Sequence, residues 1–179
     1  LFLREVRKIA RQFPDVELEE LIVDAAAAAL IRRPDSFDVI VTTNMFGDIL
    51  SDEASELSGS LGLGGSISVG DGLCVAQAQH GSAPDIAGRN IANPTSLILS
   101  ASMLLRWLGQ RHDHQQFLDA AQLVDAAVDQ VLDVPASRTR DLGGSQDTDH
   151  FCASVIGAPV WEAQAGDKST PGSATSAAA

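Results

Sequence analysis

The chain has 179 residues, a formal net charge of −12 and 45% apolar residues. That acidity argues against a nucleic-acid partner and against an anionic membrane surface, because both need a basic face. No run reaches the roughly 18 apolar residues of a membrane span, and the apolar fraction is enough to bury a core in one domain or parts of two.

Leu3, Val6, Ile9, Ala10 and Phe13 recur at helical spacing until Pro14 stops the run. The chain opens at Leu1 rather than at Met, already in the body of this helix and with no signal-peptide pattern. A portion upstream and a cytoplasmic location are therefore expected. Val16 to Val23 suits a strand. Ala25 to Arg33 predicts an alanine-rich helix ended by Pro34. The β-branched run Phe37 to Thr42 suits a buried strand. Asn44 is a candidate cap for a helix reaching about Leu57, and alternation of helix and strand indicates an α/β layer.

Six glycines lie between Gly59 and Gly72. The chain is expected to cross between domains here through short strands near Ser66–Val69 and Leu73–Ala78. Asn93 and Pro94 open a helix. Leu97, Ile98, Leu99, Met103, Leu104, Leu105 and Leu108 make it apolar nearly all round, so deep burial is expected, with Gly109 as the stop. Gln115 to Leu132 predicts a second amphipathic helix, with Ala120, Val124, Val128 and Val131 on one face. Arg138 to Gly144 reads as a loop and Asp147 to Ile156 as a last short helix. From about Trp161 the composition predicts a disordered tail. The expected division is residues 1–60, 61–160 and the tail 161–179. Cys74 and Cys152 fit no zinc or redox spacing and read as reduced, packed thiols.

Two stretches carry chemistry. Asp48 and Asp52 stand one turn apart on a predicted helix, so both carboxylates can reach one hard cation such as Mg²⁺. With Glu53 and Glu56 nearby, a solvated acidic face is the competing reading. Asp24, between strand and helix, reads first as a cap. In the second stretch Gly81, Ser82, Ala83 and Gly88 let backbone N–H groups approach a ligand. Asp85 could accept from ribose hydroxyls and would repel a 2′-phosphate, favouring NAD over NADP. The pattern is not the Gly-x-Gly-x-x-Gly fingerprint. An ordinary surface loop, with His80 structural, remains open on the residues alone.

Asp24–Ala29, Asn44–Ser55 with Gly59-Ser60-Leu61-Gly62, His80–Ser100 and Arg138–Gly144 (RTRDLGG), in this order, resemble the β-decarboxylating dehydrogenases of the isocitrate/isopropylmalate dehydrogenase family. The resemblance covers roughly residues 1–158. NMFGDILSDEAS and HGSAPDIAG look most like the isopropylmalate branch. It implies an α/β two-domain fold, present here as its incomplete C-terminal half, and a homodimer. Residues 1–60 would belong to the smaller, dimer-forming domain and residues from 61 to the larger one.

The resemblance further implies Mg²⁺ or Mn²⁺ held by Asp48 and Asp52 with the substrate, and by Asp24 from the partner subunit. NAD would lie on His80, Gly81, Ser82, Ala83 and Asp85, with Asn93. The implied substrate is a small 2-hydroxy acid, oxidised by hydride transfer and then decarboxylated, with the metal as Lewis acid. The lysine and tyrosine that move protons in the family lie upstream of Leu1, so no catalytic residue is assigned here and the isolated chain is expected to be inactive. Gln77 stands where the family usually has glutamate. The alternative is a non-catalytic regulatory subunit or an inactive truncated relative.

Overall fold

The computed structural model describes residues 1–161; the expected tail, from residue 162 on, lies outside the described residues. The chain forms two compact units, Leu1–Ser58 and the part from Gly59 on.

The first unit holds three helices, α1 (Phe2–Ala10), α2 (Val23–Arg32) and α3 (Asn44–Ser58). The alanine run of α2 gives a flat face that packs on α3, burying Ala26, Ala29 and Leu30 against a region that includes buried Leu50. α1 buries none of its residues. Arg7 on α1 grips Glu20 with Nε and Nη2 at 2.5 and 2.6 Å, and this hydrogen bond holds the Glu20 carboxyl below its usual range.

The strands expected at Val16–Val23 and Phe37–Thr42 do not form. Val23 is already the first residue of α2, and the one sheet among the described residues lies in the second unit. The local signal is nonetheless expressed. Ile22 (φ −72, ψ 143) and Phe37 (φ −113, ψ 119) are extended. Strand status requires a hydrogen-bonded neighbour, and neither segment has one here. Their apolar side chains stay open to solvent, Val39 at 82% and Val41 at 66%.

The second unit is built on a hairpin of β1 (Gly65–Val69) and β2 (Cys74–Ala78), antiparallel with Ile67 opposite Ala76. α4 (Thr95–His112) packs across the hairpin, α5 (Gln115–Leu132) against α4, and α6 (Thr148–Ile156) against α5. The core gathers Ala127, Val128 and Val131 of α5 with Phe151 and Val155 of α6 and with Ala158; Ile98 and Leu99 of α4 close one side. The last helix, expected from Asp147, begins one residue later, and Asp147 caps it, its Oδ1 accepting from His150 N at 2.9 Å.

α4 departs from its expected burial. Its fully buried side chains are polar and small, Thr95, Ser96, Ser100 and Ser102, while Leu97 is 56% exposed. The serines bind the hairpin and α5 to the helix. Ser96 Oγ donates to Gly64 O and accepts from Gln79 N at 3.1 Å. Ser100 Oγ accepts from Ser66 N at 2.9 Å, and Ser102 Oγ lies 2.5 Å from Asp125 Oδ1. Small side chains let the neighbouring backbone approach closely and satisfy its polar groups there. Nor does α4 stop at Gly109. It runs to His112 and ends with Asp113 in the left-handed region. Gly109 is instead a contact point, since a Cβ there would stand 2.7 Å from Leu118 Cδ2 on α5.

Candidate functional site

The carboxylates of the first unit are presented on helix surfaces. Asp48 and Asp52 lie one turn apart on α3, both exposed. Asn44, the first residue of the helix, donates its side-chain amide to Asp48 Oδ2 at 3.1 Å, so it steadies the carboxylate. Asp24 is not the cap of α2. It lies in the first turn, with Ile22 at the cap position, and its Oδ1 accepts from Ala25 N at 2.7 Å. Among the described residues no group of three His, Cys, Asp or Glu side chains could hold a metal ion. Of the four carboxylates on α3, Asp48 and Asp52 stand one turn apart, with Glu53 and Glu56 beside them. That suits a hard cation which takes one or two protein carboxylates and fills its remaining positions from water, substrate or another subunit.

The loop from His80 to Asn93 leaves β2 and feeds α4. Gln79 N on Ser96 Oγ anchors its start. His80 Nδ1 is 2.9 Å from Gly81 O. Ala83 takes φ +41, ψ 62, left-handed for a residue with a Cβ, and starts a single 3₁₀ turn over Pro84–Ile86 that carries exposed Asp85. Gly88 and Asn90 also have positive φ, at 74 and 53. Among the described residues no acceptor takes the N–H groups of Gly81 and Ser82, and a Cβ on Gly81 would meet nothing within 4 Å. The loop therefore offers open backbone donors and one carboxylate, which is what a dinucleotide's phosphate and ribose need. Gln77 is in β2 with its side chain on the exposed side, and its carbonyl lies 2.7 Å from Ser100 Oγ.

The end of the loop rests on a junction that the sequence did not reveal. Asn93 Oδ1 accepts from Thr95 N at 3.0 Å, the capping bond expected of it, although the helix begins at Thr95, one residue past Pro94. Its Nδ2 donates to Asp141 Oδ2 at 2.9 Å. The same Oδ2 accepts from Ser60 Oγ at 2.6 Å, and Oδ1 accepts from Thr139 Oγ1 at 2.6 Å. Burial pushes the Asp141 carboxyl up, but the bonds from Ser60, Thr139 and Asn93 outweigh it and hold the carboxyl below its usual range. Ser60, Asn93 and Thr139 are buried.

The RTRDLGG stretch makes this possible. Arg140–Leu142 is a 3₁₀ turn closed by Gly143 at φ 77. Gly144 N then donates to Thr139 O at 2.9 Å, a close return that only glycine permits, since a Cβ there would fall 2.0 Å from Arg138 O. The motif was visible in the sequence. Its partners, separated from Asp141 by 81 and 48 positions, were not.

Two exposed carboxylates one turn apart on α3 and, in the other unit, a loop with open backbone donors are the candidate ligand-binding features. The family model for isocitrate/isopropylmalate dehydrogenase matches residues 1–157, and the chain belongs to that family. An isocitrate/homoisocitrate dehydrogenase of Thermus thermophilus is 50% identical over 156 residues, covering 87% of this chain and 44% of the relative. A 3-isopropylmalate dehydrogenase of Bacillus licheniformis is 48% identical, covering 93% of this chain and 43% of the relative. Among solved structures, isocitrate dehydrogenase from Methylococcus capsulatus superposes with a TM-score of 0.82 at 40% identity, over 88% of this chain and 45% of that one. The fold is thus that of the family, and the chain spans less than half the length of the relatives it matches, as a C-terminal portion does.

Proposed function

We propose that the protein carrying this chain is an NAD-dependent dehydrogenase, assisted by Mg²⁺ or Mn²⁺, that oxidises and decarboxylates a substituted malate of the 3-isopropylmalate or isocitrate type. The observation that carries this reading is the loop at 80–89. In a chain of this family, it combines a left-handed turn at Ala83, open N–H groups at Gly81 and Ser82, and exposed Asp85. Gly81 and Ser82 would bind phosphate, and His80 and Ala83 would shape the cradle. Asp85 would accept from both ribose hydroxyls and repel a 2′-phosphate.

Asp48 and Asp52 would hold the cation, oriented in part by Asn44. Asp24 would complete the set from the partner subunit of a homodimer. When bound, the cation supplies Lewis acidity at the 2-oxygen of the substrate, and NAD accepts the hydride. The cysteines Cys74 and Cys152 are free, which fits a reducing compartment such as the cytoplasm.

The test is NADH formation by the full protein with Mg²⁺, across 3-isopropylmalate, isocitrate, homoisocitrate, tartrate and malate. A clear rate with one of these acids fixes the reaction. A folded protein that turns over none of them overturns the reading.

A further inference from the structure

The loop at 80–93 is held by its ends. Between them, the backbone bonds are local: Ile86 N to Ala83 O at 3.1 Å, Ala87 N to Pro84 O at 3.4 Å and Arg89 N to Ile86 O at 3.1 Å. None ties the exposed tip to the body of the unit. One end is pinned by Gln79 on Ser96. The other is pinned repeatedly. Asn90 Nδ2 donates to Asp149 Oδ2 at 3.0 Å, Thr148 N to Asn90 O at 3.1 Å, and Thr148 Oγ1 to Ala92 O at 2.6 Å. Asn93 then inserts into the buried junction with Asp141, Ser60 and Thr139.

Both ends of the Asn93 side-chain amide are engaged inside the protein, on Asp141 and on Thr95 N. With the side chain 8% exposed and bonded at both ends, its part is to hold the backbone at the loop's end. That backbone is held by these side-chain bonds together with the contacts of Asn90 and Ala92 to Thr148 and Asp149. Asp141 is the acceptor shared by all three donors of the junction, which come from the turn before β1, the loop itself and the RTRDLGG turn.

We infer that Asp141 is a positioning residue for the dinucleotide loop: through Asn93 it fixes the loop's C-terminal end, and so the frame in which Gly81, Ser82 and Asp85 meet the cofactor. The inference rests on the reading of that loop as a dinucleotide site, and it adds a residue that acts at second hand rather than by touching the ligand. Loss of the carboxylate leaves the loop with more conformations. If only a tenth of the population keeps the competent one, the apparent Kd for NAD rises by about tenfold. The amides of 86–93 open more often by a similar factor.

Two measurements on the full protein decide this, with Asp141→Asn as the main variant. Thr139→Val, a near-isosteric change at a buried site that removes one of the three donors, serves if the first fails to fold. In the ligand-free protein, hydrogen exchange is compared between peptides covering 80–93 and those covering the α5 core. NAD alone is then titrated. The expected result is exchange faster by about tenfold in the loop with the α5 core unchanged, and a Kd for NAD raised by about tenfold, with about threefold for Thr139→Val.

The KM for the hydroxy acid stays at its wild-type value while the KM for NAD follows the Kd. Weaker NAD binding with unchanged loop exchange would make Asp141 a direct ligand contact and overturn the inference. So would a lowered melting temperature with both other quantities at wild-type values. A wild-type protein that binds neither NAD nor NADP defeats the dinucleotide reading instead. The exchange comparison needs no ligand and still decides whether Asp141 orders the loop.

Discussion

Gly62→Ala tests the junction through its packing on Asn93, without removing any polar group. Gly62 is buried in the 3₁₀ turn Leu61–Leu63, and its N–H donates to Ser60 Oγ at 3.0 Å. A Cβ added there would stand 2.8 Å from Asn93 Cβ and 3.0 Å from both Cγ and Nδ2. The first of these atoms is fixed to the backbone and cannot rotate away. Either the turn or the backbone at Asn93 must shift. Overpacking of this kind costs about 1–3 kcal/mol. A shift also weakens the Asn93 bonds to Thr95 N and to Asp141, which contribute on the order of 1 and 2 kcal/mol when whole. Stiffening of the unfolded chain returns about 0.4–1 kcal/mol.

The net expectation is a destabilisation of about 2–3 kcal/mol, read as a fall in Tm of roughly 6–12 °C for a unit of this size. Urea and thermal melts of the full protein measure it. Gly72→Ala is the control, because a Cβ there meets nothing within 4 Å, and it should melt within about 0.5 kcal/mol of wild type. If Gly62→Ala and Gly72→Ala melt alike, Asn93 does not sit against Gly62 and the junction is not built as described.

Other expectations follow from the same geometry. Asp48→Asn should weaken Mg²⁺ binding by at least tenfold in calorimetric titration; unchanged affinity would remove Asp48 from the metal site. Asp85→Lys should move preference from NAD towards NADP, and an unaltered ratio of the two kcat/KM values would sink the ribose assignment. Phe151, fully buried in the α5–α6 core, should cost about 3–5 kcal/mol when changed to alanine, measured by urea unfolding. Asp141 gives a pH signature. Its carboxyl is depressed in the folded state, so its contribution is complete above the unfolded value of about 3.9. It is lost as pH falls through the lower folded value. Asp141→Asn should therefore flatten the acid limb of a stability–pH curve below about pH 4 and leave its slope near neutrality unchanged. An identical acid limb would show that the carboxylate is not held by its three donors.

What the sequence revealed and what it hid divide along one physical line. Helices close their hydrogen bonds within a few residues, so Asn44–Ser58, Gln115–Leu132 and Thr148–Ile156 were legible from periodicity and caps to within a residue or so. The runs of β1 and β2 were legible as short strands, but their pairing into a hairpin across a glycine-bearing turn was not foreseen. The segments Val16–Val23 and Phe37–Thr42 had an equally clear β pattern and form no strand, because a ladder depends on a neighbour that no local pattern specifies. α4 shows the same limit in packing. Leucines dominate its sequence and serines its buried face, since burial is set by which side the hairpin and α5 approach.

The site follows that line. Asp48, Asp52 and the 80–89 loop stood out as candidates because their spacing is short. Asp141 was passed over because its meaning lies in Ser60 and Asn93, far away in the chain. A carboxylate within an Arg-Thr-Arg-Asp run looks like one more solvated charge. It becomes a shared acceptor only when two other segments bring Ser60 and Asn93 to join Thr139 of its own turn. The candidate ligand-binding groups were therefore readable in one dimension, while the contacts that hold the 80–93 loop in place required the fold.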